Sequence, residues 1–228
     1  GILARTSRFV IIACIKGVLL YICHAKIKKL KVKENIRALL AKKCVGIAGA
    51  GGLGSNVASA LVRSGLGHLV IADHDTVSRE NLDRQFFFAD QEGRPKVYAL
   101  QDNLQRISSG TRLTLFYGSV TARNARELFS CCHVVVEAFD MAAEKEWFAT
   151  WMTENLSHIP LVMGSGIAGW GHSDKLRVQR SGNLYVCGHQ LDTHETEVPL
   201  MAPRVGLVAM MQADIVLEIL LTTKAPSQ

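Results

Sequence analysis

The sequence predicts an α/β fold in which a mostly parallel β-sheet is flanked by helices. Continuous runs of aliphatic residues without polar alternation indicate strands that are buried on both faces, as in a parallel sheet. These runs alternate with helical patterns along the chain, which is typical of the α/β class. With 48% hydrophobic residues, 19 glycines and only 7% aromatic residues, the 228-residue chain can form a large aliphatic core.

The first half of the chain contains the pattern of a β-α-β unit. A helix over residues 33–43 leads into the first strand, whose buried run covers residues 45–48. A glycine-rich turn over residues 51–54 and a helix over residues 55–64 follow, and Gly65 and Gly67 end that helix. The second buried strand ends at Asp73. The unit is complete in fewer than about 35 residues, which is typical of a parallel crossover.

Strand and helix continue to alternate after this unit. We predict a helix over residues 95–107, a strand over 113–120, a short helix over 125–130, a strand over 133–140 that ends on Asp140, a helix over 142–155, a strand over 160–166, a polar β region over 175–180 and 183–188, and a helix over 206–221. The polar β region predicts an antiparallel portion near the C-terminus. We predict one domain over residues 39–228, preceded by an N-terminal extension over residues 1–38.

Charge and cysteine content limit the classes of partner. The net charge of +6 and the pI of about 9.1 favour an anionic partner, such as a nucleotide or an acidic protein, without indicating nucleic acid. None of the six cysteines is spaced as a C-x-x-C pair, so we expect reduced thiols in a cytoplasmic protein and no zinc. The apolar residues 9–23 carry Lys16 and are too short to cross a bilayer. They predict a docking or dimer segment rather than a membrane anchor.

A glycine-rich loop predicts a nucleotide site. Gly49, Gly51 and Gly54 match G-x-G-x-x-G between a buried strand and a helix, with Gly52 inside the motif. Glycine allows the backbone to approach a phosphate closely, and a helix N-terminus directs free N–H groups at it. This context is typical of a Rossmann-like fold. Asp73 at the end of the second strand would hold ribose hydroxyls in an NAD enzyme or an ATP enzyme alike, so the loop leaves the nucleotide open.

The residues after the second strand carry a more specific resemblance. Asp73, Asp75, Asn81, Arg84, Gln85 and Lys96 follow the pattern D-x-D-x-V-x-x-x-N-L-x-R-Q and then G-x-x-K. This pattern resembles that of the superfamily containing ThiF, MoeB, HesA and the ubiquitin-activating enzymes. The resemblance implies an ATP site. Its contacts would be Gly49, Gly51, Gly52, Gly54, Asp73, Asp75, Asn81, Arg84, Gln85, Lys96 and Asp140.

The resemblance also implies a division of roles within that site. ATP carries about four negative charges, and a carboxylate that attacks its α-phosphate adds another, so fixed cations and a metal ion are needed. Arg84 and Lys96 would supply the cations, while Asp140 would hold Mg²⁺. These three are the predicted catalytic residues. No side-chain nucleophile is required, because the partner's own carboxylate attacks.

The segment from Met201 to Gly206 is similar to the ThiF-like branch associated with thiamine synthesis. The resemblance implies a small sulfur carrier protein ending in Gly-Gly as the partner, a homodimer, and no nucleic acid or membrane. Arg204 could line the groove for the carrier tail or instead cap a helix. Cys187 could be a thiol for sulfur transfer, although a free cysteine is more often a small buried apolar residue.

Other functions stay open at this point. The glycine loop also fits an NAD-dependent oxidoreductase, which Arg84, Gln85 and Lys96 disfavour. A non-catalytic nucleotide-binding scaffold would need the same loop. Within the superfamily, activation of the molybdopterin-synthase carrier and cyclisation of a modified tRNA base are further alternatives.

Overall fold

Parallel strands form the centre of the structure. The computed structural model describes residues 32–189 and 198–222. Within this part of the chain, seven strands form one sheet in the order β3-β2-β1-β4-β5-β7-β6. The strands are β1 (Cys44–Ala48), β2 (His68–Asp73), β3 (Arg112–Tyr117), β4 (Val134–Glu137), β5 (Leu161–Ser165), β6 (Arg177–Ser181) and β7 (Leu184–Gly188). The described helices are α1 (32–40), α2 (Gly52–Ser64), α3 (Lys96–Ile107), α4 (Ala125–Phe129), α5 (Ala142–Asn155) and α6 (Ala202–Thr222).

The pairing confirms the predicted mixture of parallel and antiparallel strands. All neighbours from β3 to β7 pair in parallel, and only the pair of β6 with β7 is antiparallel within this sheet. The central strands β1 and β4 are buried at every position, as their aliphatic runs predict. The edge strand β6 is exposed throughout, which agrees with its polar sequence. The centre of the sheet is therefore buried, and the edge strand β6 is exposed to solvent.

Helices cover both faces of the sheet and form two hydrophobic cores. On one face α2, α3 and α6 pack over β1, with Ile47, Leu61 and Val208 fully buried. On the other face α4 and α5 contribute Phe129 and Phe148, whose rings meet edge to face at 5.7 Å. Each core buries aliphatic and aromatic surface that supplies the main favourable term in folding. This three-layer arrangement confirms the predicted α/β class.

Several predicted boundaries were wrong, for local reasons. Helix α2 begins at Gly52, because the last glycines of the motif form its first turn rather than a separate turn. Strand β4 ends at Glu137, so Asp140 lies three residues beyond the strand instead of at its end. Helix α6 begins at Ala202, four residues earlier than predicted. Pro203 is compatible with this start, because the first turn of a helix does not need its N–H.

Helix α6 is long and apolar enough to cross a membrane by length and composition alone. Half of its apolar window is buried within the protein, and Val205, Val208 and Val216 are fully buried in the core with α2 and the sheet. Packing of this kind accounts for the apolar composition of a core helix.

The chain divides into two units, Gly1–Leu39 and Leu40–Gln228. The predicted docking segment over residues 9–23 lies outside the described residues. The predicted domain boundary at residues 38 and 39 stays a prediction.

Candidate functional site

A cleft opens at the carboxyl ends of the central strands. The chain reverses its direction of strand addition between β1 and β4, and ligands of open α/β sheets bind at such a switch point. The cleft encloses about 760 Å³, including the space at its open mouth. Its walls are formed by Gly49, Gly51, Gly52, Leu53, Ala72, Asp73, His74, Asp75, Arg84, Gln85, Lys96, Gly118, Val120, Ala138, Phe139, Asp140, Glu144, Ile167, Leu200 and Val205. Nine of the predicted site residues are therefore brought together.

The glycine loop forms one wall of this cleft. Gly49 has a φ of +99°, and a Cβ atom there would lie 2.6 Å from the carbonyl oxygen of Ala138. Gly54 is not a lining residue; a Cβ atom on it would collide with the carbonyl oxygen of Gly49. No side chain caps the first turn of α2, whose leading N–H groups lack acceptors within the helix. The loop thus presents backbone donors and a positive helix end to the cleft.

Asp73 holds the loop in this conformation. Its two carboxylate oxygens accept hydrogen bonds from the backbone N–H groups of Ala50, at 2.6 Å, and Asp75, at 2.7 Å. Burial raises the pKa of the Asp73 carboxyl, against the opposing effect of these backbone donors and of Lys96. The predicted ribose-binding residue therefore also ties the end of β2 to the glycine loop.

Two cations reach the cleft from the segment after β2. Lys96 is only 5% exposed, and its Nζ donates to Asp75 Oδ2 at 2.7 Å. Arg84 donates through Nη1 to the carbonyl oxygen of Glu80 at 2.8 Å and to Asp83 Oδ1 at 2.7 Å. Cations that neighbouring groups hold in place are preorganised for an anionic ligand. The structure thus brings together the two cations that the sequence motif singled out.

Gln85 and Asn81 differ in their relation to the cleft. Gln85 lines it, and its buried Oε1 has no hydrogen-bond partner within the described residues. A buried polar atom without a partner is costly, so this oxygen is available to a ligand or to a water molecule. Asn81 is not among the lining residues, since its Oδ1 accepts a hydrogen bond from the N–H of Ser78 and closes a turn. Its observed role is to shape the segment that carries Arg84 and Gln85.

A buried ion pair that the sequence reasoning missed supports the opposite wall. Glu137 is fully buried at the end of β4, and both of its carboxylate oxygens accept hydrogen bonds from Lys145 Nζ, at 2.9 and 3.0 Å. Glu137 Oε1 also accepts from the N–H of Phe139 at 2.6 Å, which fixes the turn that leads to Asp140. Burial raises the pKa of Glu137 despite the attraction of Lys145. A charged residue at the end of a buried strand was the sequence signal for this pair.

Asp140 lies in the cleft as an exposed carboxylate. In nucleotide-binding sites, Mg²⁺ is commonly coordinated by one or two carboxylates together with phosphate oxygens. An accessible carboxylate beside the glycine loop fits such an ion. Asp140 is therefore one residue that could hold Mg²⁺ at this site.

Two predicted residues lie away from the cleft walls. Cys187 is fully buried in β7, and burial raises the pKa of its thiol to about 12. Because an accessible thiolate is the reactive form of cysteine, this position corrects the suggestion that Cys187 transfers sulfur. Arg204 is 4% exposed, and its Nη2 donates to the carbonyl oxygen of Gly171. It ties the start of α6 to the loop after β5, while its neighbour Val205 lines the cleft.

Comparison with known proteins finds relatives over most of the chain. Adenylyltransferase and sulfurtransferase MOCS3 of Caenorhabditis briggsae is 32% identical over 180 residues, which are 76% of this chain and 44% of that protein. Sulfur carrier protein ThiS adenylyltransferase of Escherichia coli is 29% identical, over 79% of this chain and 73% of that protein. The chain thus spans less than half of the first relative and about three quarters of the second.

Solved structures share the fold. Escherichia coli tRNA N6-threonylcarbamoyladenosine dehydratase TcdA, in complex with ATP, superimposes with a TM-score of 0.74 at 20% identity, covering 82% of this chain and 89% of that one. Residues 25–228 match the ThiF family. Because this match extends over most of the sequence and the cleft carries the residues of the motif, the chain belongs to the ThiF family.

Proposed function

We propose that this protein uses ATP to adenylate the C-terminal carboxylate of a small sulfur carrier protein. The observation that carries the proposal is the convergence in one cleft of the α2 N-terminus, Lys96, Arg84 and Asp140. Relatives named as adenylyltransferases of MOCS3, molybdopterin-synthase and ThiS type support the reaction class.

In the proposed reaction a carboxylate oxygen of the carrier attacks the α-phosphorus of ATP. The bond from that phosphorus to the bridging oxygen of the β-phosphate breaks, and pyrophosphate leaves with the electron pair. The α2 N-terminus and Lys96 bind the phosphates, Arg84 stabilises charge on the reacting phosphate, and Gln85 Oε1 accepts a hydrogen bond from the nucleotide. Mg²⁺ held by Asp140 would neutralise charge on the leaving pyrophosphate. The side chains therefore position the reactants and compensate charge, and none of them forms a covalent bond with the substrate.

The finer proposal is a ThiS-like carrier ending in Gly-Gly, within thiamine synthesis. It rests on the segment from Met201 to Gly206 and on relatives named as ThiS adenylyltransferases from two bacteria. Activation of the molybdopterin-synthase carrier is the alternative that the relative of that name supports. A homodimer and a cytoplasmic location stay predictions.

ATP–pyrophosphate exchange tests the reaction directly. Exchange should depend on a purified carrier that ends in Gly-Gly, and a panel with ThiS-like and molybdopterin-synthase carriers identifies the preferred one. An exchange rate that does not increase with any such carrier would contradict the proposal. Thermal stabilisation by ATP but not by NAD would distinguish it from an oxidoreductase.

Arg84→Ala tests whether the cleft performs the chemistry. A charge-assisted hydrogen bond contributes about 1.5–3 kcal/mol, so exchange should fall by roughly 10- to 150-fold. Arg94→Ala is the matched control, because Arg94 forms an ion pair of similar length with Asp102, at 2.8 Å, but does not line the cleft. An equal effect of the two substitutions would show that Arg84 has no special part in the chemistry of the cleft.

A further inference from the structure

Three cysteines meet at the amino end of the sheet, at the opposite end from the cleft. Cys44 is the first residue of β1, while Cys131 and Cys132 lie in the turn between α4 and β4. Their Sγ atoms all lie within 4.8 Å of one another. Parallel pairing of β1 with β4 produces this meeting, because it brings together the amino ends of strands that are far apart in sequence.

The distance between two of the three sulfur atoms matches that in a zinc site. The Sγ atoms of Cys44 and Cys132 are 3.8 Å apart. Two thiolates bound to one tetrahedral Zn²⁺ at about 2.3 Å each lie about 3.8 Å apart. A disulfide would instead require about 2.05 Å between the sulfur atoms. The thiols are therefore separated as two ligands of one ion would be, with a third thiol beside them.

The backbone around the cluster is already fixed. The N–H of Cys44 donates to His133 Nδ1 at 3.1 Å, and the N–H of His133 donates back to the carbonyl oxygen of Cys44 at 2.8 Å. The N–H of Cys132 donates to the carbonyl oxygen of Phe129 at 3.0 Å. These bonds hold the turn against the start of β1, so a metal would bind to preorganised ligands.

Access and charge also suit a metal ion. Cys44 and Cys132 are 7% and 6% exposed, whereas Cys131 is exposed and borders a surface depression that Lys43 and Arg112 also line. An ion could enter from this side, where water could complete its coordination. One Zn²⁺ with three thiolates carries a net charge of −1, which the two cations would offset.

We propose that Cys44, Cys131 and Cys132 bind one Zn²⁺ through three thiolates, with the fourth position open to solvent. The site ties the turn before β4 to the start of β1, across 88 residues of sequence. It lies apart from the nucleotide cleft and uses no residue of the motif. The absence of C-x-x-C spacing predicted no zinc, but that rule concerns ligands that are neighbours in sequence.

The test uses the full chain, purified reduced and free of metal. Titration with Zn²⁺ against a chromophoric chelator should show one tightly bound ion per chain, and bound zinc should raise the thermal midpoint. Titration with Co²⁺ should give the thiolate-to-cobalt charge-transfer absorption of a sulfur-rich tetrahedral site. Cys131→Ser changes an exposed side chain and should leave the fold intact. Because loss of an outer partner already weakens metal binding by about 10- to 100-fold, loss of this ligand should weaken zinc binding by more than about 100-fold.

The double substitution Cys14→Ser with Cys23→Ser is the control, since it removes two other thiols of the chain. Zinc binding that persists in the control and is lost in Cys131→Ser supports the site. The proposal is overturned if wild-type protein binds no zinc, if it binds Cu(I) alone, or if the control rather than Cys131→Ser loses the metal.

Discussion

Substitution of Lys145 by Met tests whether a buried ion pair supports the wall of the cleft. Lys145→Met removes both hydrogen bonds from Nζ to Glu137, at 2.9 and 3.0 Å, and a third to the carbonyl oxygen of Gly164 at 3.1 Å. Methionine keeps an unbranched aliphatic side chain at this position of α5. Glu137 would then be a fully buried carboxylate without its cation.

The expected loss follows from this burial. Breaking a buried pair by removing one partner costs about 3–5 kcal/mol. Because the Lys145 side chain is 21% exposed and Glu137 can take up a proton, we expect the lower end of that range, about 3 kcal/mol. For a domain of 150–250 residues, a loss of this size lowers the thermal midpoint by roughly 6–12 °C.

Urea denaturation and thermal unfolding at neutral pH measure this loss. Arg94→Met is the matched control, because it breaks the exposed pair with Asp102 and should cost less than about 1 kcal/mol. The double substitution Glu137→Gln with Lys145→Met removes both charges and should recover much of the loss. A cost of less than about 1 kcal/mol for Lys145→Met, or a double variant no more stable than the single one, would refute a supporting role for this ion pair.

Two further predictions concern the glycine loop and the pH dependence of stability. Gly49→Ala should abolish nucleotide binding and destabilise the fold, since its Cβ atom would meet Ala138 at a φ of +99°; Gly93→Ala, at +82° with no atom within 4 Å, should cost only the backbone strain of about 1–2 kcal/mol. Isothermal titration with ATP and urea denaturation measure both, and equal losses in the two variants would contradict the steric argument. The raised pKa of Glu137 means that the native carboxyl binds its proton more tightly than the unfolded chain does, so this group's contribution to stability should fall as pH rises from its ordinary value of 4.5 through the raised native value. Glu137→Gln should flatten that part of the profile of unfolding free energy against pH, and an unchanged slope would exclude this origin.

Much of the fold follows from short stretches of sequence. Strands β1, β2 and β4 could be predicted because aliphatic runs of this kind must be buried on both faces. The start of α6 could not be predicted in this way. Proline normally breaks a helix, and only the structure shows that Pro203 lies in the first turn, where it is tolerated. The pairing order across the sheet depends on contacts between distant segments, which local patterns do not encode.

The candidate site was predicted best where its residues are close in sequence. Asp75, Arg84, Gln85 and Lys96 share one motif, and the structure brings all four to the cleft. Asn81 belongs to the same motif but closes a turn, since an asparagine side chain can hydrogen-bond either a ligand or its own backbone. The motif alone could not distinguish these roles.

The Glu137 ion pair and the cysteine cluster were not predicted from the sequence, because each depends on which residues meet at one end of the sheet. Parallel pairing of every strand except β6 places the carboxyl ends of these strands at one end of the sheet and their amino ends at the other, so residues from separate βα units meet without any fixed spacing in sequence. At the carboxyl end, the N–H of Ala138, next to Glu137, donates to the carbonyl oxygen of Ala48, next to the glycine loop, at 2.8 Å. At the amino end, Cys44 meets Cys132. Because Cys131 is exposed and lies at the end of the sheet opposite the cleft, its substitution should leave ATP binding unchanged while it alters metal binding. Loss of metal binding without any change in ATP binding would show that the cysteine cluster is a separate site and does not support the glycine loop.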